Sequence, residues 1–298
     1  MTDNTHYLKA VETKLRSARV LSPRVEAELL LTHFGRLDRL DLFTGKKKIT
    51  PSARRSIEKA LAVRKKGRPL SHLTGRAPFY GRMFRVTKDT LIPRPETEVL
   101  VEEALALLKA DFDDQAPQIL DVGTGSGCIA VCLTLEYPAC RMTALDASFK
   151  ALKVARKNVE LFGLNDQIQL VKSRLFASFG KEKYGFWDVL VSNPPYVPAE
   201  DWTRLSREVR SEPRLALDGG PRGLRVIERL LEQAPVFLKP GGWLLVEIGK
   251  GQSAILRKSL KKNSLFKNLK FIKDLNGIDR VLVAQIIGHP RAGGDQAA

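Results

Sequence analysis

Cysteine is scarce in this chain: three among 298 residues, at Cys128, Cys132 and Cys140. An odd count without framework spacing excludes a disulfide scaffold and fits a reduced compartment, so a cytoplasmic location is expected. Cys128 and Cys132 stand at i and i+4, where a helix would put them on one face. No histidine lies near them in sequence, so they read as buried core thiols rather than metal ligands. Long apolar runs are also missing. No stretch reaches the roughly 18 consecutive apolar residues of a membrane helix, and no membrane partner is expected. The opening Met1-Thr2-Asp3-Asn4-Thr5-His6 lacks a basic stretch followed by an apolar one, which argues against a secretory signal. Acid is in deficit, with 33 Asp and Glu against 50 Lys and Arg and a formal net charge of +17. Such a balance favours acidic partners: an acidic protein surface, nucleic acid or a ribosome-associated complex. The clusters Lys46-Lys47-Lys48, Arg64-Lys65-Lys66 and Lys261-Lys262 read as solvated surface before binding sites.

At roughly 100–200 residues per domain, the length predicts two domains. Residues 1–73 read as helical. Tyr7, Leu8, Val11, Leu15 and Ala18 follow helical spacing, and Ser22-Pro23 and Thr50-Pro51 are helix starts. Val25, Leu29, Leu30 and Phe34 supply one apolar stripe, stopped by Gly35; Ile57, Ala60, Leu61 and Val63 supply another. Residues 74–95 change character. Phe79 to Val86 reads as a short hairpin with a glycine at its turn. Leu91-Ile92-Pro93-Arg94-Pro95 reads as an extended linker, because each proline disfavours helix for the residue before it. Pro95-Glu96-Thr97-Glu98 opens a helix with acid where the helix dipole favours it. Within a second domain of 96–288, the pattern from about 118 is strand, loop, helix, strand, with strands at 118–122, 142–146, 168–171, 187–191, 243–248 and 281–287. This alternation predicts an α/β domain with a mostly parallel sheet. Residues 289–298 are polar and rich in Gly and Ala, and are expected to be a disordered tail.

Two loops of this domain carry chemistry. Gly123-Thr124-Gly125-Ser126-Gly127 falls between a strand and a helix, where such folds bind ligands. Glycines there let backbone approach a ligand closely. Asp146 ends the next strand and can accept hydrogen bonds from both ribose hydroxyls of a nucleoside. The spacing is G-x-G-x-G, not the G-x-G-x-x-G of dinucleotide enzymes. A loop with no phosphate to hold suits S-adenosyl-L-methionine. The second loop, Asn193-Pro194-Pro195-Tyr196, follows the strand Val189-Leu190-Val191. Consecutive prolines restrict the backbone and remove two donors, which leaves carbonyls free to accept. The Asn193 side-chain oxygen and the Pro194 carbonyl can each hold one N–H of a planar NH2 group, and Tyr196 offers a flat face to it. Such a nitrogen is a poor nucleophile, so orientation and stabilisation of its developing positive charge supply the catalysis.

These residues resemble the class I methyltransferases that modify exocyclic nitrogens, and within them the bacterial release factor glutamine methyltransferases of the HemK/PrmC type. The resemblance runs from about Ser22 to Ile287. It also rests on Pro69-Leu70-Ser71-His72-Leu73-Thr74-Gly75, on Leu91 to Glu98, on Glu212-Pro213 with Ala216-Leu217-Asp218-Gly219-Gly220, on Glu247-Ile248-Gly249 with Gln252, and on Asp274 with Asp279-Arg280. It implies a Rossmann-like fold with a mostly parallel seven-stranded sheet, and a small N-terminal helical domain that helps hold the substrate. It implies S-adenosyl-L-methionine held by Gly123, Thr124, Gly125, Ser126, Gly127, Asp146, Leu175 and Asn193. The implied substrate is the glutamine of the Gly-Gly-Gln motif in class-1 peptide chain release factors. That glutamine would be bound by Asn193, Pro194, Pro195 and Tyr196, with Asn193, Pro194 and Tyr196 catalytic, and would become N5-methylglutamine.

One position departs from the pattern. Ser173-Arg174-Leu175-Phe176 carries Arg174 where relatives often have an acid near the adenine, which leaves Leu175 or Phe176 to pack on the base. Other roles stay open at this stage. Glu247 reads as a strand-end cap before a catalytic acid. Arg94 is assigned to the cofactor carboxylate, the catalytic loop or structure alone. Asp279-Arg280 reads as a salt-bridged strand start. The same loops would also suit an adenine N6-methyltransferase, although no base-recognition domain is visible and nucleic acid is not the expected substrate. A ribosomal-protein glutamine methyltransferase and a non-catalytic cofactor-binding module are the remaining readings. Pro93-Arg94-Pro95-Glu96-Thr97-Glu98 favours the release-factor branch over the ribosomal-protein one.

Overall fold

The computed structural model describes residues 3–113, 115–261 and 263–288. The expected tail 289–298 and Lys262 lie outside them. Five helices come first: α1 (Asp3–Ser17), α2 (Pro23–Gly35), α3 (Arg39–Thr44), α4 (Pro51–Lys65) and α5 (Leu70–Thr74). Strands β1 (Arg76–Phe79) and β2 (Arg82–Arg85) follow, then α6 (Glu96–Asp111), β3 (Gln118–Val122), α7 (Cys128–Glu136), β4 (Arg141–Asp146), α8 (Phe149–Leu161), β5 (Ile168–Lys172) and β6 (Trp187–Ser192). The chain continues with α9 (Arg207–Arg210), α10 (Arg225–Phe237), β7 (Leu238–Glu247), α11 (Gln252–Leu260), β8 (Phe266–Lys273) and β9 (Asp279–Ile286). Two compact units result. One comprises the described part of Met1–Arg76 with Ser206–Ser211, the other that of Ala77–Leu205 and Glu212–Ala298.

In the first unit, Tyr7, Leu8, Val11 and Leu15 of α1 pack with Leu30, Leu31, Ile57 and Leu61. The stripe expected on α2 is corrected. Its inward face is Ala27, Leu30 and Leu31, whereas Val25 and Leu29 are 56% and 47% exposed. Positions 25 and 29 lie on the far side of the helix from 27, 30 and 31, and packing on α1 and α4 selects the latter face. Val63 is likewise largely exposed. Thr50 caps α4 by accepting from Ala53 N, but Ser22 makes no side-chain cap on α2. Arg64 is a second correction. It is buried, not solvated, and its guanidinium forks onto Glu26 at 2.6 and 2.8 Å and reaches Glu208 at 2.5 Å. This ion-paired fork ties α4 to α2 and to the distant segment Ser206–Ser211. No sequence pattern had joined that segment to the helices.

In the second unit the sheet order is β5-β4-β3-β6-β7-β9-β8, parallel from β5 to β7 and antiparallel at β9 and β8. The strands alternate sides with period two. Ile119, Val189, Val191 and Leu245 face α6 and α7, while Leu120, Leu190, Leu244 and Val246 face α10 and α11. Cys128 and Cys132 are buried, as expected, and so is Cys140; all three belong to the first of these cores. Strand β8 was not read in sequence. It is an edge strand whose apolar residues Phe266, Leu269, Phe271 and Ile272 do not alternate, because its pairing with β9 shifts register between Lys267 and Lys270. The hairpin turns at Tyr80-Gly81, with φ of +49° and +69°, the left-handed pair that a two-residue hairpin loop requires. Chain order reverses between β3 and β6, so a crevice opens beyond their carboxyl ends.

Candidate functional site

The glycine loop leaves β3 into that crevice. Gly123, Gly125 and Gly127 have φ of +81°, +59° and +83°, a region that other residues enter with strain. Gly123 N and Thr124 N both donate to Leu145 O, at 2.8 and 2.9 Å, which ties the loop to β4. A Cβ on Gly127 would come within 3.3 Å of Ala155, so that glycine serves helix packing. A Cβ on Gly123 or Gly125 would meet nothing closer than 3.9 Å; these two face open space. Asp146 ends β4 beside them. Its Oδ2 accepts from Gly125 N at 2.9 Å and its Oδ1 from Ser148 N at 2.7 Å. Burial pushes its carboxyl up, and those two N–H groups pull it down. Asp146 is thus aimed by two backbone donors, each oxygen keeping lone pairs for a ligand.

A cleft of about 230 Å³ is lined by Gly123, Gly125, Asp146, Leu175, Asn193 and Pro194, among others. Thr124, Ser126 and Gly127 do not line it. Thr124 turns inward, its hydroxyl donating to Oδ2 of the fully buried Asp121 at 2.6 Å. Burial pushes the Asp121 carboxyl up to about 7. Ser126 O accepts from Asn158 of α8 at 2.8 Å. Of the two candidates after Arg174, Leu175 lines the cleft and Phe176 does not. Phe176 is buried and stacks on Phe237 with ring centroids 4.4 Å apart. Leu175 holds φ of +52°, unusual for a branched residue, and its carbonyl accepts from Ser173 Oγ at 2.6 Å. Arg174 is exposed at the rim.

The Asn193 loop leaves β6 opposite. Ser192 Oγ donates to Val122 O at 2.7 Å, tying this loop to β3. Asn193 Nδ2 donates to Thr97 Oγ1 at 2.9 Å. Among the described residues no donor reaches Asn193 Oδ1 or the Pro194 carbonyl. Two later carbonyls of the loop are taken: Tyr196 O accepts from Gln252 Nε2 at 2.9 Å and Val197 O from Gly219 N at 2.9 Å. Two glycines allow this close fit. A Cβ on Gly219 would stand 2.6 Å from Pro195 O, and one on Gly223 would stand 1.9 Å from Tyr196 O. Pro195 lines the cleft, but the Tyr196 side chain does not. Its phenol donates to Glu247 Oε1 at 3.0 Å. Burial and Glu247 together push the phenol up.

Glu247 ends β7 and is fully buried; burial pushes its carboxyl up to about 7. Arg94 pairs with Glu212, which also accepts from Ile92 N at 2.9 Å. Of the roles left open, the structure therefore gives Arg94 an ion pair that fastens the linker to the segment after the Asn193 loop. Arg280, at the start of β9, pairs with Asp274 at 2.8 Å, the salt-bridged start expected there. Sequence reading did not single out Thr97, Asn158 or Gly223. Thr97 was visible only as part of a helix start, and nothing local pointed it at Asn193.

The family model described as "Methyltransferase small domain" matches residues 98–211, and that described as "PrmC N-terminal domain" matches residues 6–75. The chain is 41% identical over 280 residues to a release factor glutamine methyltransferase of Chlorobaculum tepidum, covering 92% of this chain and 94% of the relative. It is 39% identical over 267 residues to a release factor glutamine methyltransferase of Rhodopirellula baltica, covering 89% and 90%. A methyltransferase structure from Pyrococcus furiosus shares the fold at a TM-score of 0.50 and 20% identity, covering 78% of this chain and 96% of that one.

Proposed function

Because this chain belongs to the release factor glutamine methyltransferase family, we propose that its cleft moves a methyl group from S-adenosyl-L-methionine to the side-chain amide nitrogen of a release-factor glutamine. The glutamine is the one in the Gly-Gly-Gln motif of class-1 factors, and the product is N5-methylglutamine. The observation that carries the reading is a pair of uncommitted acceptors on one cleft wall, Asn193 Oδ1 and Pro194 O, opposite the glycine loop and Asp146.

The cleft fits the cofactor. Gly123 and Gly125 leave the space a Cβ would take, Asp146 presents a carboxylate fixed by two N–H groups, and Leu175 adds an apolar surface for the base. Adenosylmethionine supplies an electrophilic methyl group on a positively charged sulfur. Asp146 is assigned to the ribose hydroxyls, and Gly123 and Gly125 to close backbone approach. Thr124, Ser126 and Gly127 shape the loop from behind. The Asn193 side-chain oxygen and the Pro194 carbonyl each take one N–H of the substrate amide. Held this way, the nitrogen is oriented toward the methyl donor, and both acceptors stabilise the positive charge that grows on it. A proton of that nitrogen then passes to solvent water, restoring a neutral amide. Pro195 holds the loop rigid, and Tyr196 braces it through Glu247.

The helical unit is assigned to recognition of the whole release factor, and the excess of basic residues to attraction of an acidic surface on it. Among the described residues no helix is long and apolar enough to cross a membrane. A cytoplasmic setting accords with a substrate that works in translation. The test is transfer of labelled methyl to purified release factor, beside its Gln→Ala variant in the Gly-Gly-Gln motif and a DNA duplex. Label on the unaltered factor alone is expected. Label on the duplex would favour an adenine N6-methyltransferase instead.

A further inference from the structure

Asparagine's two amide ends are opposite in character: one donates and the other accepts. The reading above needs the accepting end in the cleft. What decides the orientation of Asn193 is therefore a chemical question, and its answer lies behind the loop.

Asn193 Nδ2 meets Thr97 Oγ1 at 2.9 Å, and Thr97 is 2% exposed, so water does not intervene. Glu247 is fully buried, and Thr97 is among the groups that act on its carboxyl. Its Oε1 accepts from the Tyr196 phenol, whereas its Oε2 has no hydrogen-bond partner among the described residues. The Thr97 hydroxyl is nevertheless close enough to stabilise the charge on this carboxyl and lower its pKa. Thr97 Oγ1 accepts from Asn193, so its one hydrogen is left to point toward this carboxyl. A buried carboxylate oxygen left without one would be destabilised.

A threonine hydroxyl has one hydrogen. An ionised Glu247 can only accept, so it draws that hydrogen to itself. Thr97 Oγ1 can then only accept from Asn193, which must offer Nδ2 backward and Oδ1 forward. A protonated Glu247 reverses the chain. It can donate to Thr97, Thr97 can donate to Asn193 Oδ1, and the amide can turn to show an N–H to the substrate. We propose that Glu247, acting through Thr97, sets which end of the Asn193 amide faces the cleft, and so makes the site accept an amino group rather than a carbonyl or carboxylate oxygen. Thr97 and Glu247 are positioning residues in this scheme; neither touches substrate. The proposal rests on the methyl-transfer reading and adds to it how the acceptor is kept an acceptor.

The surroundings of Glu247 make the state adjustable. Burial raises its carboxyl, and Glu96 at the start of α6 adds to that rise. The hydroxyls of Thr97 and Tyr196 lower it, as does Arg280 of β9, which Asp274 holds at 2.8 Å. Arg94 acts on the neighbouring Tyr196 phenol. The balance leaves the carboxyl at about 7. Turnover should therefore rise with pH through about 7, as Glu247 ionises. Folding stability runs the other way. A carboxyl raised in the folded state contributes stability that is fully present below its ordinary value and is lost as pH rises through about 7. A merely structural carboxyl would give the stability trend without the turnover trend.

The experiment is turnover against pH at saturating release factor for wild type, Thr97→Ser, Thr97→Val and Glu247→Gln, with cofactor affinity by calorimetry and melting curves alongside. Wild type should show an acid limb near pH 7. Thr97→Ser should keep turnover and limb. Thr97→Val should lose on the order of 100-fold in kcat, keep cofactor affinity and lose the limb. Glu247→Gln should lower kcat and abolish the limb. Thr97→Val with unchanged kcat and limb would overturn the relay, as would an acid limb persisting in Glu247→Gln. If Thr97→Val does not fold, the Glu247→Gln profile still decides. The Gln→Ala release factor checks the underlying reading separately: no transfer by wild type to the unaltered factor would overturn that reading and the relay with it.

Discussion

The two walls of the cleft are built in opposite ways. The glycine wall is local. Its shape comes from positive-φ glycines, two N–H groups on Leu145 O and a carboxylate one strand away. The Asn193 wall is assembled from far along the chain. Thr97 holds the side chain, Gln252 holds the Tyr196 carbonyl, Glu247 holds the phenol, and Gly219 and Gly223 close on the backbone. A loop that only cradles a ligand can be shaped by its own residues. A loop that must present two acceptors at fixed positions needs its other polar atoms engaged elsewhere, and only tertiary structure supplies those partners.

The contrast predicts unequal sensitivity to remote change. Gly223→Ala should have the largest effect. Its Cβ would stand 1.9 Å from Tyr196 O at a φ of +70°, so the loop must move. Transfer should be lost and the melting temperature should fall; near-normal turnover would show that the remote clasp is dispensable. Asn193→Ala comes next, with kcat falling on the order of 100- to 1,000-fold and cofactor affinity kept. Loss of both together would mean that the two walls are not separable. Asp146→Ala should do the converse, weakening cofactor binding by about 2 kcal/mol, read by calorimetry. Gly81→Ala should be the mildest. Nothing lies within 4 Å of its Cβ, and only its φ of +69° opposes the change. About 1 kcal/mol of stability should go, with turnover unchanged.

The same contrast explains what sequence could reveal. Six of the sheet strands, the five parallel ones and antiparallel β9, were legible because each is a short apolar run, and the glycine loop, Asp146 and Asn193-Pro194-Pro195-Tyr196 were legible because each is contiguous. Strand β8 was not, since its exposed edge carries no apolar alternation. The outward turn of Val25 and Leu29 was not, because α2 has apolar residues on two sides and packing chooses between them. Arg64 looked like one more basic surface residue until Glu26 and Glu208 closed on it. Glu247 was visible as a strand-end acid and Thr97 only within a helix start; their partners were not, because each meaning lies in a hydrogen bond to a residue on another element.

The central claim concerns one nitrogen on one side chain. The most direct measurement is fragment mass spectrometry of release factor after incubation with adenosylmethionine and either wild type or Asn193→Ala. A single methyl on the Gly-Gly-Gln glutamine, formed by wild type and far more slowly by the variant, is the predicted result. A methyl on another residue, or equal modification by both proteins, would contradict the account.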